Sequence, residues 1–284
     1  MAWRAYRVVF CLRAPLHIGW SKVGNLQRTR PYVIGRSLWG ALTMRLTRDA
    51  ANDKKPADDS KDYQQFGIQV NENLAFTYFY LATKSKNDYQ IAWPWKDESL
   101  FRRRFLSSYS GTALDYPQQS AAEGTLREVE FIAPRTLDTG ESVFLIGHVL
   151  ESENCTLGWK DACTRLQLGG ERGYGWGTLE LMEISQSEHQ ELFSVAELTL
   201  DRDKARPTIS LKSNTPILAH TLAEGILAEG TVEPLVGREW RSYNDANRYA
   251  GQHVEFNGIC FAPGSIVQKD LKFQISYFGL WKAI

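Results

Sequence analysis

The stretch "LQLGGERGYGWGTLEL", Leu166 to Leu181, sets five glycines within the nine residues Gly169–Gly177, with Arg172, Tyr174 and Trp176 between them. Glycine has no Cβ, so such a loop turns tightly and brings backbone N–H groups close to a ligand, phosphate above all. Two phosphate-binding patterns do not fit. A Walker loop needs Gly-Lys-Ser/Thr running into a helix, and here the glycines run into "WGTLELMEI", which reads as a strand. A dinucleotide fold needs a strand before the glycines and a helix after them, whereas "WKDACTRLQL" before them has helical character. The order is helix, glycines, strand. It leaves two readings open: an ordinary connection capped at Gly169, or a loop that holds a ligand.

The flanking sequence gives the loop a place. "WRAYRVVFCLRA" from Trp3 alternates Tyr6, Val8, Phe10 and Leu12 on one face, the period of a strand. "RPYVIGRSLWGALTMRLTR" from Arg30 predicts an extended piece, a break at Gly35 and a helix from about Ser37, with Leu38, Leu42 and Leu46 on one side. A second strand is predicted over 74–82, a third strand or hairpin from "LREVEFIA" and "SVFLIGHVL", a second helix near 158–168 and a fourth strand over 176–185. The order βαββαβ is that of an α+β, ferredoxin-like (RRM-like) unit. It occupies residues 1–200, with a long insertion at 83–124; residues 201–284 read as a smaller β-rich second domain with a short helix signal near "LAHTLAEGILAEG".

At 284 residues, with 43% hydrophobic and 12% aromatic content, the chain is globular, and its apolar runs are too short for a membrane span. Arg4, Arg7 and Arg13 interrupt any signal-peptide pattern, so a cytoplasmic protein is expected. Cys11, Cys155, Cys163 and Cys260 form no CxxC pair, which argues against a zinc ribbon or a disulfide framework. Thirty-three basic residues balance thirty-three acidic ones, yet residues 1–48 hold nine Lys or Arg and no Asp or Glu. A basic segment beside a glycine loop points to phosphates, or to a basic face that meets an acidic partner subunit. The insertion carries Trp93, Trp95, Phe101, Phe105, Tyr109 and Tyr116 interleaved with Arg102, Arg103 and Arg104. These rings either pack inward as a subdomain or offer a nucleic-acid surface.

Three stretches resemble the RAMP superfamily of CRISPR-associated proteins. "PLHIGW" (15–20) with "RPYVIGRSLWGAL" (30–42) resembles its early His-x-Gly and Pro-x-Gly-Ser-x-x-Gly-Ala pattern, although Val33-Ile34 and Arg36 stand where Ile-Pro and Ser are commoner. "TALDYPQQSAAEGTLREVEFI" (112–132) resembles its Ala-Ile-Asp and Ala-x-x-Gly-x-Leu-x-x-x-Glu segment, and "LGGERGYGWG" (168–177) its glycine-rich loop. "HVEFNGICFAPGSIV" (253–267) resembles the closing segment of subunits that cap the 5′ end of CRISPR RNA, especially in type III effectors. The resemblance implies a crRNA-binding subunit that holds the repeat-derived 5′ tag, with the large subunit and backbone RAMP proteins as partners and target RNA met indirectly. It implies RNA contacts at His17, Lys22, Arg28, Arg30, Arg36, Ser37, Gly169, Gly170, Arg172, Gly173, Tyr174, Gly175 and Trp176. The insertion would be a thumb carrying Trp93, Trp95, Arg102, Arg103, Arg104 and Asp115. No cofactor or metal is implied. Independently, a basic groove with aromatic faces is what single-stranded RNA binding needs, and Arg172 with Tyr174 or Trp176 could pair with phosphate and stack on a base.

One branch of the superfamily cuts CRISPR RNA through a histidine, and His17 in "PLHIG" is the candidate with context. His148, His189, His220 and His253 have no companion at suggestive spacing, and the equivalent of His17 recurs in subunits that do not cut. Backbone subunits that cleave target RNA use an aspartate after the first strand, and residues 14–48 contain none. A non-catalytic subunit is therefore expected. The alternatives are a backbone RAMP subunit, a metal-independent crRNA-processing endoribonuclease or, outside the family, a protein scaffold without RNA contact.

Overall fold

The structure, a computed structural model, describes residues 3–51, 56–86, 88–117, 119–187, 191–200, 205–241 and 251–284. The first strand, β1 (Trp3–Leu12), is followed by a hairpin of β2 (Gly19–Val23) and β3 (Leu26–Thr29), then helices α1 (Gly35–Ala50) and α2 (Ser60–Asn73). Next come β4 (Leu74–Phe76), β5 (Tyr80–Ser85), β6 (Asp88–Ile91), α3 (Glu98–Phe105), β7 (Leu106–Gly111) and the small hairpin β8 (Leu114–Asp115) and β9 (Ser120–Ala121). β10 (Arg127–Ile132), β11 (Phe144–Ser152), α4 (Trp159–Ala162) and β12 (Leu179–Gln186) complete the first part. The rest is β13 (Glu191–Leu192), β14 (Ala196–Thr199), β15 (Thr208–Leu211), β16 (Thr221–Leu222), β17 (Ala228–Glu229), β18 (Val232–Glu239), β19 (His253–Phe261), β20 (Ile266–Val267), β21 (Leu271–Ile275) and β22 (Trp281–Ala283).

The class is α+β. The first sheet runs β12-β1-β11-β5-β6, with β4 also on β11 and every neighbour antiparallel. β1 is central and covered on both sides, which is why it reads as a nearly continuous apolar run. Tyr6, Val8, Phe10 and Leu12 face one core with Leu38, Leu42 and Leu46 of α1, as their spacing predicts, while Trp3 and Ala5 face a second core. The predicted strand over 74–82 is split at Thr77, whose N–H donates to the His148 carbonyl at 3.0 Å while its Oγ1 accepts from His148 N–H at 2.8 Å. "LREVEFIA" and "SVFLIGHVL" are not a hairpin. β10 belongs to a separate four-stranded sheet, β2-β3-β10-β7. The predicted second helix shrinks to α4 and a 3₁₀ turn over Cys163–Arg165, pinned by the buried Trp159, whose Nε1–H donates to Glu151 at 2.8 Å.

Two helices escape the apolar periodicity. α2 begins at Asp59, which accepts from Lys61 N–H at 2.9 Å, and α3 at Asp97, which accepts from Leu100 N–H at 2.9 Å; both are N-caps hidden among other acidic residues. Residues 52–55 and His189 lie outside the described residues.

The C-terminal strands form an eight-stranded sheet, β13-β14-β15-β21-β22-β16-β19-β18, and residues 218–230 hold the short strands β16 and β17 where a helix was expected. Leu198, Ile209, Phe273 and Trp281 share one core with Trp3, Tyr32, Tyr78, Tyr80 and Leu150 of the first part. The imidazole of His148 is buried near Arg7, and burial first, then that charge, pushes its pKa down to about 4. The unfolded chain takes up this proton near pH 6.5 and the folded chain near 4, so stability is lost as pH falls through that window. His148→Phe is expected to shrink the loss, read by urea denaturation at pH 7 and pH 4.5.

Candidate nucleic-acid interface

The glycine loop is built by short hydrogen bonds to the chain entering β2. Gly170 N–H donates to the His17 carbonyl at 2.8 Å and Gly177 N–H to that of Pro15 at 2.7 Å, while Gln167 Nε2 donates to the carbonyls of Arg172 and Trp176 at 3.1 and 2.9 Å. Gly169 (φ +79°) and Gly177 (φ +76°) need glycine on two counts: their conformation, and a Cβ that would lie 2.3 Å from the His17 oxygen and 1.7 Å from the Leu168 oxygen. Gly175 has φ +82° but open surroundings. Gly173 has neither positive φ nor a neighbour within 4 Å, so nothing within the protein requires glycine at that position.

Beside the loop stands the sheet β2-β3-β10-β7. Its register aligns Lys22 with Gln27, Gln27 with Val129 and Val129 with Tyr109, so strand alternation puts all four on one face together with Arg127 and Phe131. Trp176 packs edge-on against Phe131, ring centroids 5.1 Å apart, and meets Tyr109 at 6.4 Å. Between sheet and loop lies a cavity of about 190 Å³ lined by Tyr109, Arg127, Val129, Glu171, Tyr174 and Trp176. Tyr109 and Tyr174 are 64% and 72% exposed, unusual for rings with no apolar cover. Arg127 lies over the Tyr174 ring at 5.6 Å and donates to its hydroxyl at 3.2 Å.

The structure sorts the sequence-derived candidates. Tyr174 and Trp176 line this cavity, whereas the exposed Arg172 does not and rests on Met44 Sδ of α1 at 3.0 Å. Lys22 is exposed on the cavity's sheet face, whereas Arg28 has the opposite parity and lies 5.5 Å over the half-exposed Trp20. His17 is buried beneath the loop, its Nδ1 2.7 Å from the Glu130 carbonyl, which fixes the Nδ1–H tautomer. Ser37 lies in the first turn of α1, its N–H bonded to the Ile34 carbonyl at 3.0 Å.

Arg30 and Arg36 are corrections. Both are buried at the junction with the C-terminal sheet, Arg30 on Glu233 at 2.7 Å and Arg36 on Glu239 and, at 2.9 Å, Asn257. A charge so enclosed has no face left for phosphate. Trp93 and Trp95 are likewise not on a thumb surface: they pack on Tyr80 at 4.8 and 5.6 Å, and Trp95 sits against Gly264 of the "APGS" turn. Arg102 pairs with Glu130, and Arg104 with Glu141 at 2.7 Å; Arg103 is exposed. Phe101 and Phe105 are buried, while Asp115 lies in the β8–β9 hairpin and Tyr116 is exposed at its turn. The insertion thus combines both readings, inward rings near 93–105 and outward rings at Tyr109 and Tyr116. Arg127 and Glu171 were missed as site residues; each stands in a noted motif, but only the fold brings them together.

Among the described residues no helix is long and apolar enough to cross a membrane, and no cluster of His, Cys, Asp or Glu could hold a metal ion. The model of the RAMP superfamily matches residues 12–180, more than half of the chain. The protein belongs to the RAMP superfamily. Glycine loop, His17 and four-stranded sheet all fall inside the matched span of this RAMP protein. Among curated proteins none matches it. Among solved structures it is similar to a chain of a type III-B Cmr-beta complex bound to cognate target RNA and AMPPnP, at 12% identity and TM-score 0.47, covering 92% of this chain and 85% of that one. Further chains come from Cmr-beta bound to cognate target RNA (10% identity, TM-score 0.40, 62% and 96% covered) and from its apo state (12%, 0.41, 65% and 98%).

Proposed function

We propose that this RAMP protein is a non-catalytic subunit of a type III CRISPR effector complex that holds the repeat-derived 5′ tag of CRISPR RNA and contacts neighbouring subunits. One observation carries the reading: the cavity between the glycine loop and the four-stranded sheet, where Tyr109, Tyr174 and Trp176 meet beside Arg127, with Arg172 exposed on the same loop and Lys22 on the same sheet face. Aromatic faces stack on unpaired bases and cations hold the phosphates between them. The type III assignment rests on the resemblance of residues 253–267 to the closing segment of tag-capping subunits. The non-catalytic role is supported by His17, whose one ring hydrogen bond among the described residues goes to a backbone carbonyl and not to a second acid or base. His17→Ala is expected to leave guide-RNA maturation unchanged; cleavage of repeat RNA by the purified protein that disappears on this change would overturn the non-catalytic role.

The direct test is Arg172→Ala. Its side chain is exposed, so the thermal midpoint should stay within experimental error of the parent. Affinity for RNA carrying the 5′ tag should fall by about 1.5 kcal/mol or more, the range for a hydrogen bond to a charged group, and the salt slope should become shallower. RNA lacking the tag should be affected less. A lower midpoint with both affinities unchanged would make the loop a structural connection only.

A further inference from the structure

We infer that the cavity between the glycine loop and the sheet is a single-nucleobase site that prefers guanine, with Glu171 as the residue that reads the base. The inference rests on the RNA-binding reading above and deepens it. About 190 Å³, walled by Tyr109, Tyr174 and Trp176 and floored by Val129, suits one planar ring system and not a folded chain. Its polar end consists of Arg127 and Glu171.

These two groups are not equivalent. Arg127 is committed to Tyr174, over whose ring it lies and to whose hydroxyl it donates, which holds that ring in place. Glu171 is 20% exposed in its side chain, its nearest cation is Arg127 at 3.6 Å, beyond hydrogen-bond distance, and among the described residues its carboxylate accepts no hydrogen bond. Its backbone is left-handed at φ +55°, a conformation that asparagine or glycine would adopt more easily. A mostly covered carboxylate with open acceptor positions, held at a strained backbone position beside exposed rings, is a recognition group awaiting donors.

The chemistry of a carboxylate then selects the base. Its two oxygens lie in one plane and accept side by side, so they match two adjacent N–H donors on a base edge. Among the RNA bases guanine alone offers that pair, N1–H and the 2-amino group. Adenine and cytosine place an acceptor nitrogen beside their amino group, and uracil flanks its single N–H with carbonyl oxygens; both arrangements bring an oxygen or nitrogen lone pair against the carboxylate. The tyrosine and tryptophan faces stack on any base, so they contribute affinity without choice.

The test uses the purified protein and the heptaribonucleotides UUUGUUU, UUUAUUU, UUUCUUU, UUUUUUU and UUUIUUU, titrated at fixed salt. The guanosine oligonucleotide is expected to bind about tenfold tighter than the adenosine, cytidine or uridine ones, the discrimination of one good bidentate pair. Inosine, which lacks the 2-amino group, should lose most of that advantage in the unaltered protein, a comparison independent of any variant's folding. Glu171→Gln should abolish the preference, and Tyr174→Ala should weaken all five alike. Equal affinity for the five, or a guanine preference that survives Glu171→Gln, would overturn the base assignment while RNA binding stands. If none of them binds, the RNA-binding reading fails and takes this inference with it.

Discussion

Replacing Glu233 by alanine is expected to lower the stability of the protein by about 3–5 kcal/mol, the cost of breaking a buried charge pair from one side. The carboxylate is 13% exposed and accepts from Arg30 at 2.7 Å and from His220 Nε2 at 2.6 Å, while His220 Nδ1 accepts from the Tyr78 hydroxyl at 2.7 Å. Arg30 and Tyr78 belong to the first part of the chain, Glu233 belongs to β18 of the C-terminal sheet and His220 immediately precedes its β16, so the network fastens the two parts together. Without Glu233 the Arg30 guanidinium would be buried with no counter-charge. Burial works to raise the Glu233 pKa, but the hydrogen bonds from His220 and Arg30 outweigh it and hold the group at about 2. Its ordinary value is 4.5, so the stability it supplies is complete above that pH and is lost as pH falls from 4.5 toward 2. His220 is displaced downward by burial, against the pull of Glu233, and adds to acid sensitivity with the same sign. Urea denaturation of Glu233→Ala and of Arg30→Met with Glu233→Leu checks this: the double replacement should recover much of the loss, because it removes both charges. A loss below about 1 kcal/mol in the single variant would be the cost of an ordinary surface pair and would deny the network its fastening role.

Gly177→Val should be comparably damaging, at about 4 kcal/mol, because strain and overlap act at one atom. Its Cβ would lie 1.7 Å from the Leu168 carbonyl oxygen at φ +76°, in a residue whose carbonyl accepts from Leu168 N–H at 2.9 Å and whose N–H bonds to Pro15. Backbone lies on both sides, so no side chain can swing away to make room. Gly173→Ala in the same loop should change stability by no more than about 0.5 kcal/mol, as expected of an exposed position in ordinary conformation. Thermal melts of the two variants make the comparison, and equal losses would mean that the glycines act by composition and not by position.

The core strands were legible because their signal is local. Tyr6, Val8, Phe10 and Leu12 alternate in β1, and Leu38, Leu42 and Leu46 recur at helical spacing in α1; each pattern states which face must leave water. The helices α2 and α3 were not legible, since their caps, Asp59 and Asp97, look like any acidic residue in a polar stretch until the N–H groups they satisfy are seen. The splitting of residues 74–82 into β4 and β5 depends on Thr77 and His148, which are 71 residues apart.

The candidate site divides the same way. By itself the sequence determined that a glycine-rich loop enters a strand, that Arg172, Tyr174 and Trp176 stand on it, and that residues 1–48 are uniformly basic. What those cations do was decided only by the tertiary structure. Arg30 and Arg36 meet Glu233 and Glu239, each 203 residues further along the chain, and are thereby removed from the surface, while Lys22 and Arg172 stay exposed. Arg127 and Glu171 become the polar end of a cavity because β10 packs beside the loop. Residue type states how a side chain ionises and stacks, and that is readable one position at a time. Pairing and burial depend on which distant segments the fold brings within a few ångströms, because Coulomb attraction and desolvation act through space and not along the chain.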